Sequence, residues 1–480
     1  MSESPLHYET LVELAVAIRD GRISPVDIVE HYLTRIESLD PKLNAYRMVC
    51  RERALAAAQA AALALKAGQD LGPLHGIPYA AKDLFDVRGV PTTAGSHLLE
   101  QNIAGEDACV THRLIQAGMV FLGKTNTVQF AYGGVGINHD HGTPHNPWQW
   151  VPHVPGGSSS GSAVAVASGM APMALGSDTG GSVRIPASLC GITGLKTTVG
   201  RIGRSGVFPL SGSLDTVGVL ARTVEDVALV YEHIQGFDPQ DETTWGQQPT
   251  EILSRLKGGV RGMRLAFAES FFWDDVDPEI EKAVRTTGKV FEDLGAHVDS
   301  IQLPVAEETL NRNANTVVLA AEAYTHNREW VDDHYDQLDP IVASRLLKGK
   351  EISGSDYLEC LLDLKKLRAK SSEALRDVEA LLVPTTIIPP RPLTEVDADL
   401  ETYTRYNFSY LRNTSIGNAL NFCGLSVPCG FTRQGLPIGL MIYGKPFRED
   451  IVIRIGYAFQ QSTDWHKKRP DLSWIGQENE

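Results

Sequence analysis

The stretch from Ser162 to Gly169 contains nothing larger than valine. Such a segment predicts a helix whose backbone can press close to a sheet. Ala171 to Leu175 follows as a strand, and Val120-Phe121-Leu122 reads as a short buried strand before it. From about residue 72, short apolar runs alternate with glycine-rich turns and small-residue helices. This alternation predicts an α/β layered fold. The same texture returns in the strands expected at Arg264–Ala268, Leu381–Pro384 and Leu425–Pro428. Between them, Pro278 to Leu294 is an amphipathic helix ending at Gly295, and residues 305–370 are mostly helical. Residues 8–67 also read as helices. Ser24 is an N-cap with Pro25 in the first turn, followed by Ile28, Val29, Tyr32, Leu33 and Ile36 at helical spacing. Ala54 to Lys66 is an alanine-rich helix. These helices are expected to cover a sheet edge or a partner subunit.

The pattern divides the chain into an N-terminal helical region (1–70), a core with the chemical motifs (71–235), a variable, mostly helical lobe (236–375) and a C-terminal return to the sheet (376–480). Residues 236–262, polar and turn-rich, read as an insertion or a lobe boundary. A chain of 480 residues, 42% hydrophobic, is long enough for a large core. Its net charge of −15, with no basic stripe, argues against a nucleic-acid partner. The six cysteines form no CxxC pair and no dense framework, so free thiols in a reducing cytoplasm are expected. Met1-Ser2-Glu3-Ser4-Pro5 has neither a basic nor an apolar run, so no signal peptide is expected. No apolar run has the length of a membrane span.

Three polar residues stand in glycine-framed or apolar surroundings. Ser158 lies in Pro155-Gly156-Gly157-Ser158-Ser159-Ser160-Gly161-Ser162. Ser182 lies in Gly176-Ser177-Asp178-Thr179-Gly180-Gly181-Ser182-Val183-Arg184. Lys82 ends the apolar run Ile77-Pro78-Tyr79-Ala80-Ala81. A serine hydroxyl is a weak nucleophile until a base takes its proton. A lysine serves as that base only when burial keeps it neutral. Glycines before a serine let the backbone approach a substrate, and successive N–H groups there can converge on an oxyanion. Taken singly, each motif has a plainer reading, as a turn or a solvated lysine.

Several other patterns compete. Gly118-Met119-Val120-Phe121-Leu122-Gly123-Lys124-Thr125 fits the P-loop string, but its middle is the expected strand rather than a flexible loop. Gly157-Ser158-Ser159-Ser160-Gly161 fits a nucleophile elbow centred on Ser159, which would need an acid and a histidine downstream. Ser254-Arg255-Leu256-Lys257 is a lone S-x-x-K at a helix end. His139, His141, His145 and His153 fall in one turn-rich loop, read here as a polar loop near a pocket mouth rather than a metal site.

Together the motifs resemble the amidase signature family. The likeness rests on Gly76-Ile77-Pro78 through Lys82-Asp83, Gly156-Gly157-Ser158-Ser159 with Gly161-Ser162, and Gly176 through Ser182. Arg184, Pro186, Cys190-Gly191, Asn146-Pro147, Gly194-Leu195-Lys196 and Asp215-Thr216-Val217-Gly218 continue it. Gly435-Leu436-Pro437-Ile438-Gly439 and Thr463-Asp464-Trp465-His466 extend it to roughly residues 8–470. The resemblance implies an α/β amidase-signature fold, a central mixed β-sheet covered by helices on both faces. It also implies a triad in which Ser182 is the nucleophile, Ser158 the bridging serine after a cis peptide from Gly157, and Lys82 the general base. Thr179, Gly180, Gly181 and Ser182 then form the oxyanion hole. Asp178 and Arg184 are expected as structural partners beside the nucleophile. Ser160 stands where the family often has glycine. No cofactor or metal is implied, and a homodimer is an expectation at family level only.

The family includes stand-alone amidases and the glutamine-hydrolysing subunit of tRNA-dependent amidotransferases. Glutamine needs an arginine for its carboxylate and an acid for its ammonium. The amidotransferase branch carries that acid shortly before its equivalent of Gly424-Leu425-Ser426-Val427-Pro428. Asn407 to Asn421 contains no Asp or Glu here. Arg368 could serve a carboxylate or could be a solvated helix face. The missing acid favours a stand-alone amidase on a small, weakly charged or aryl amide, with anilides, ureas and carbamates left open. Phe85, Phe130, Tyr132, Gly133 and Trp148 are the expected substrate-binding residues near the motifs, with Trp150 beside them. The aromatics among them fit a pocket lining and a core equally.

Overall fold

Among the residues described by the computed structural model, 5–476, eleven strands pair into one mixed sheet. Met1 to Ser4, where no signal peptide was expected, lie outside these residues. The strands are β1 (Tyr46–Val49), β2 (Pro78–Lys82), β3 (Val120–Thr125), β4 (Met173–Asp178), β5 (Thr193–Lys196), β6 (Thr216–Ala221), β7 (Arg264–Ala268), β8 (His297–Ile301), β9 (Ala380–Pro384), β10 (Cys423–Phe431) and β11 (Pro437–Gly444). They run in the order β1-β3-β2-β4-β6-β5-β10-β11-β9-β7-β8. β2 is parallel to β3 and β4, and β7 is parallel to β8 and β9. The remaining pairings are antiparallel.

Both faces are covered, as the alternation of side chains shows. In β11, Leu440 and Ile442 join one apolar core while Met441 and Tyr443 join another. In β9, Leu382 faces the first and Leu381 and Val383 the second. A continuous apolar run is therefore what a strand buried on both faces requires. The first core takes the helices Leu11–Arg19 and Pro25–Leu43, and the second takes Ile416 and Leu420 from the helix Leu400–Ala419 and the residue after it.

The N-terminal helices cover the sheet edge. Ser24 accepts from the Asp27 N–H in a full capping box, with Pro25 in the first turn. Between these helices and Arg51–Lys66 lies β1, an edge strand that the helical reading of 8–67 does not contain. The P-loop string is occupied by β3, and Ser254-Arg255-Leu256 belongs to the short helix Leu253–Leu256. The helix at Pro278 runs to Asp293, and Gly295 takes a positive φ of 87° behind it. No described helix is long and apolar enough to cross a membrane.

The small-residue helix spans Ser160–Ala167 and is buried along its whole length. Ser162 ties it to the sheet, 2.7 Å from the Thr125 hydroxyl and donating to the Leu175 carbonyl at 2.9 Å. At Gly161 the approach is closest. A Cβ there would collide with the Ala45 carbonyl and the Asn126 backbone. Gly161→Ala is expected to destabilise the protein by about 1–3 kcal/mol or more, because backbone rather than a flexible side chain must move. Chemical denaturation against wild type checks this.

Candidate active site

β2 and β4 lie side by side and parallel, so their carboxyl ends open at the same edge of the sheet. Crevices at carboxyl strand ends are where α/β sheets bind ligands. Lys82 is the last residue of β2, and Ser177 and Asp178 close β4. Ser158 lies just before the small-residue helix, and the Gly157–Ser158 peptide is cis. The Ser158 carbonyl accepts from Thr127 Oγ1 at 3.0 Å and from the Val128 N–H at 3.3 Å. Ser182 lies just before the helix Arg184–Cys190 and is 5% exposed. The Ser159 N–H donates to the Ser182 carbonyl at 3.1 Å, joining the two serine turns directly.

The lysine is fully buried. Lys82 Nζ donates to Ser158 Oγ at 2.7 Å and to Ser177 Oγ at 2.8 Å. Burial lowers its pKa to about 7, although the carboxylates of Asp178 and Asp215 pull the other way. An amine near neutrality can hold or release a proton at physiological pH. Ser177, to which the motif assigns no role, is the second group on the amine.

The turn after β4 is fixed from three sides. Asp178 receives both Arg184 Nε and Nη2 at 2.9 Å, and Asn418 Nδ2 at 2.9 Å. Burial alone would raise its pKa, but the Arg184 guanidinium holds it down at about 2. Arg184 also donates to Tyr443 Oη at 2.8 Å and Asn418 Oδ1 at 2.7 Å. Thr179 Oγ1 donates to Asp215 at 2.5 Å, and the other Asp215 oxygen accepts from the Leu210 and Ser211 N–H groups at 2.9 Å. Burial raises the Asp215 pKa. Gly181 has φ 142°, and Thr414 presses against it while donating to the Gly180 carbonyl at 2.7 Å. Among the described residues, the N–H groups of Gly180, Gly181 and Ser182 bind no backbone acceptor. Thr414 and Asn418 both come from the helix Leu400–Ala419, far away in sequence and without a motif to announce it.

A cavity of about 210 Å³ opens beside this turn. Ser177, Thr179, Arg204, Asp215 and Asp241 are among its polar lining, and Leu84, Val207 and Phe208 form part of its apolar wall. Ser158 and Ser182 do not line it. Phe85 is fully buried behind Val207, with which it forms a β-bridge. Phe130 stacks on Phe208 at 5.5 Å and supports the wall without reaching the cavity. Tyr132 lies under the Arg345 guanidinium at 4.1 Å, and Gly133 leaves room for the Tyr403 hydroxyl. Trp148 is placed elsewhere. Its Nε1 donates to the Cys190 carbonyl at 2.8 Å, and its ring lies 4.9 Å from Phe431, beside a separate surface groove. Trp150 is exposed at that groove. Arg368 is not a solvated face, since its Nε donates to the Ala419 carbonyl at 2.8 Å.

The remaining motifs separate. Ser159, centre of the elbow string, is buried and exchanges hydrogen bonds of 3.3 Å with the Ser177 backbone. Ser160 begins the helix with a buried hydroxyl that has no partner among the described residues. The four loop histidines do not converge. His139 bridges Asp339 at 2.8 Å and Asp397 at 3.0 Å, His145 packs on Trp474, and His153 bonds the Val151 carbonyl. His141 turns towards His97.

A buried lysine between hydroxyls, at the mouth of parallel strands and beside an ion-paired glycine turn, is the kind of centre that activates a serine without a histidine. Residues 27–453 match the Amidase family, and the chain belongs to it, as an amide hydrolase of the amidase signature. It is 37% identical over 453 residues to 2-amino-5-chloromuconic acid deaminase of Comamonas testosteroni, covering 94% of this chain and 95% of that protein. It is also 37% identical over 489 residues to a glutamyl-tRNA(Gln) amidotransferase subunit of Chromohalobacter salexigens, covering 97% and 99%. Among solved structures, a peptide amidase in complex with the competitive inhibitor chymostatin superposes with a TM-score of 0.85 at 28% identity, covering 98% of this chain and 100% of that one. A chain from a vestigial protein complex bearing on the origins of an s-triazine catabolic enzyme gives 0.88 at 32%, covering 95% and 98%.

Two expectations follow. Arg184→Met leaves Asp178 charged and buried without its partner, and should cost about 3–5 kcal/mol of stability, read by chemical denaturation. The second concerns His139, which is held up at about 9, first by its hydrogen bond to Asp339. A raised pKa contributes stability that is complete below the unfolded value near 6.5 and is lost as pH rises through about 9. Thermal melts should therefore fall across that window in wild type, and fall less in His139→Asn.

Proposed function

We propose that the chain hydrolyses a small, weakly charged or aryl amide through a Ser182–Ser158–Lys82 triad and an acyl-enzyme. The observation that carries this reading is the contact of a fully buried Lys82 amine with Ser158 Oγ at 2.7 Å. Ser182 Oγ attacks the amide carbonyl carbon while its proton passes to Ser158 and the Ser158 proton passes to neutral Lys82. The carbonyl oxygen becomes an oxyanion facing the N–H groups of Thr179, Gly180, Gly181 and Ser182. The C–N bond then breaks, and the departing nitrogen takes the proton back from the lysine through Ser158. Water repeats the sequence on the acyl-Ser182 ester and releases the carboxylic acid. No cofactor enters these steps.

Ser177 has a positioning role in this scheme. A neutral amine has one lone pair and two N–H bonds. When the amine is neutral, giving one N–H to Ser177 Oγ, 2.8 Å away, turns the lone pair towards Ser158, whose hydroxyl then donates across the 2.7 Å contact that the ammonium form donates.

A weakly charged substrate suits the cavity because its charged side chains are engaged. Arg204 pairs with Asp241 at 2.9 Å, and Asp215 is held by Thr179 and two backbone N–H groups. Phe208 and Leu84 offer apolar surface to an acyl or aryl group. A second reading, the glutamine-hydrolysing subunit of a tRNA-dependent amidotransferase, is favoured by the 37% identity to one such protein. Glutaminase activity and co-purifying partner subunits would select it.

Steady-state assays on a panel of aryl amides and glutamine test the proposal. Ser182→Ala should abolish turnover, and Lys82→Ala should lower kcat by about 10²–10⁴-fold. Because the base must be neutral, wild-type kcat/KM should rise with pH and level off above about 7. Ser177→Ala should lower kcat by about tenfold to 10²-fold with KM little changed, and Ser177→Thr should restore it. Full turnover by Lys82→Ala would overturn the reading.

A further inference from the structure

The histidine loop and the turn after β2 meet outside the catalytic centre. His97 and Glu100 lie on the short turn His97–Leu99 and the residue after it, and His141 reaches them from the loop that follows residue 137. One nitrogen of each histidine and one Glu100 oxygen all lie within 4.8 Å of one another. The two rings stand edge to face, 4.5 Å apart. The His141 Nε2 is buried and has no hydrogen-bond partner among the described residues.

We propose that His97, His141 and Glu100 bind a divalent first-row metal ion, of which Zn²⁺ is the best fit, in a structural site separate from the amidase centre. Two imidazoles and a carboxylate are a zinc-type donor set, with bonds of about 2.0–2.2 Å. His97 Nδ1 already lies 2.9 Å from Glu100 Oε1, and the two loops that bring His141 to them are fastened by hydrogen bonds. The His97 N–H donates to Asp140 at 3.0 Å, and Gln129 donates to both Ser96 and Asp140 at 3.1 and 3.0 Å. His97 is 58% exposed, which leaves the fourth position to water. Two contacts compete with the ion, the first being the 2.9 Å bond between His97 Nδ1 and Glu100 Oε1. In the second, Arg47 pairs with Glu100 at 3.0 Å, so its guanidinium must share the carboxylate or give way.

The site would brace the wall behind Ser158. Asn138, three residues before His141, donates to the Gly95 carbonyl at 2.8 Å and the Thr127 carbonyl at 2.7 Å. Thr127 in turn donates to the Ser158 carbonyl at 3.0 Å. Metal bound at the surface thus tightens a short chain of hydrogen bonds that ends on the catalytic turn.

The test uses full-length protein stripped with a chelator and titrated with Zn²⁺ by calorimetry, with Co²⁺ as the spectroscopic probe. Wild type should bind one ion tightly enough to raise its Tm, and Co²⁺ should give a d–d spectrum. His97→Ala, at an exposed position that tolerates truncation, and His141→Asn should each weaken Zn²⁺ binding by more than about tenfold, the loss that even an outer-shell change produces. Arg47→Ala should tighten it, an outcome that no general loss of structure can mimic. Absence of a Zn²⁺ isotherm in wild type, or equal affinity in wild type and His97→Ala, would overturn the proposal.

Discussion

Everything in the centre depends on removing Lys82 from water without giving it a carboxylate. Lys82, Lys124 and Lys196 are all buried, and their surroundings differ. Lys124 is ion-paired with Asp83 at 2.7 Å and also donates to the Thr92 hydroxyl at 3.1 Å, a structural bond. Lys196 donates to the Thr197 and Phe422 carbonyls, both at 2.8 Å, and burial lowers it to about 8. Lys82 alone of the three meets two hydroxyls and no carboxylate or carbonyl, and hydroxyls can both accept and donate a proton. Desolvation lowers its pKa to about 7, and Ser158 and Ser177 are its two hydrogen-bond partners.

The architecture around the amine keeps charge close but out of contact. Asp178 ends the strand beside it, but the carboxylate is committed to Arg184 and Asn418. Asp215 is committed to Thr179 and the turn at residues 210–211. Each acid thus stabilises the glycine turn that carries Ser182, and although both pull the Lys82 pKa up, neither touches the amine and burial outweighs them. The close packing of Gly161 and Gly181 follows from the same need, since both serine turns must lie against their neighbours with no side chain between.

Part of this was legible in the sequence. The fold brings Lys82 against Ser158 and ties the Ser158 and Ser182 turns together, so residues singled out by separate motifs meet in one place, and the apolar runs at 264–268, 381–384 and 425–428 became strands. β1 was missed because four residues between two helices show no periodicity. Thr414 and Asn418 were missed because a buried polar face on a long helix looks the same in sequence as an exposed one. Ser177 differs again: strand alternation settles which face a residue takes, but only the neighbouring strand shows what it meets there. Trp148 lies close to Ser158 in sequence, yet its ring turns towards Cys190 and Phe431, because chain proximity carries no direction. Phe130 fell between the two readings offered for the aromatics, a core residue that supports a cavity wall.

The central claim is that a neutral Lys82 activates Ser182. The direct measurement is the rate at which a serine-directed covalent inhibitor acylates the protein, followed by intact mass between pH 5 and pH 9. The account predicts a single adduct on Ser182, with a rate that climbs to a plateau and has its midpoint near 7, where burial places the amine. A rate independent of pH, or an adduct that forms as fast in Lys82→Ala, would contradict it.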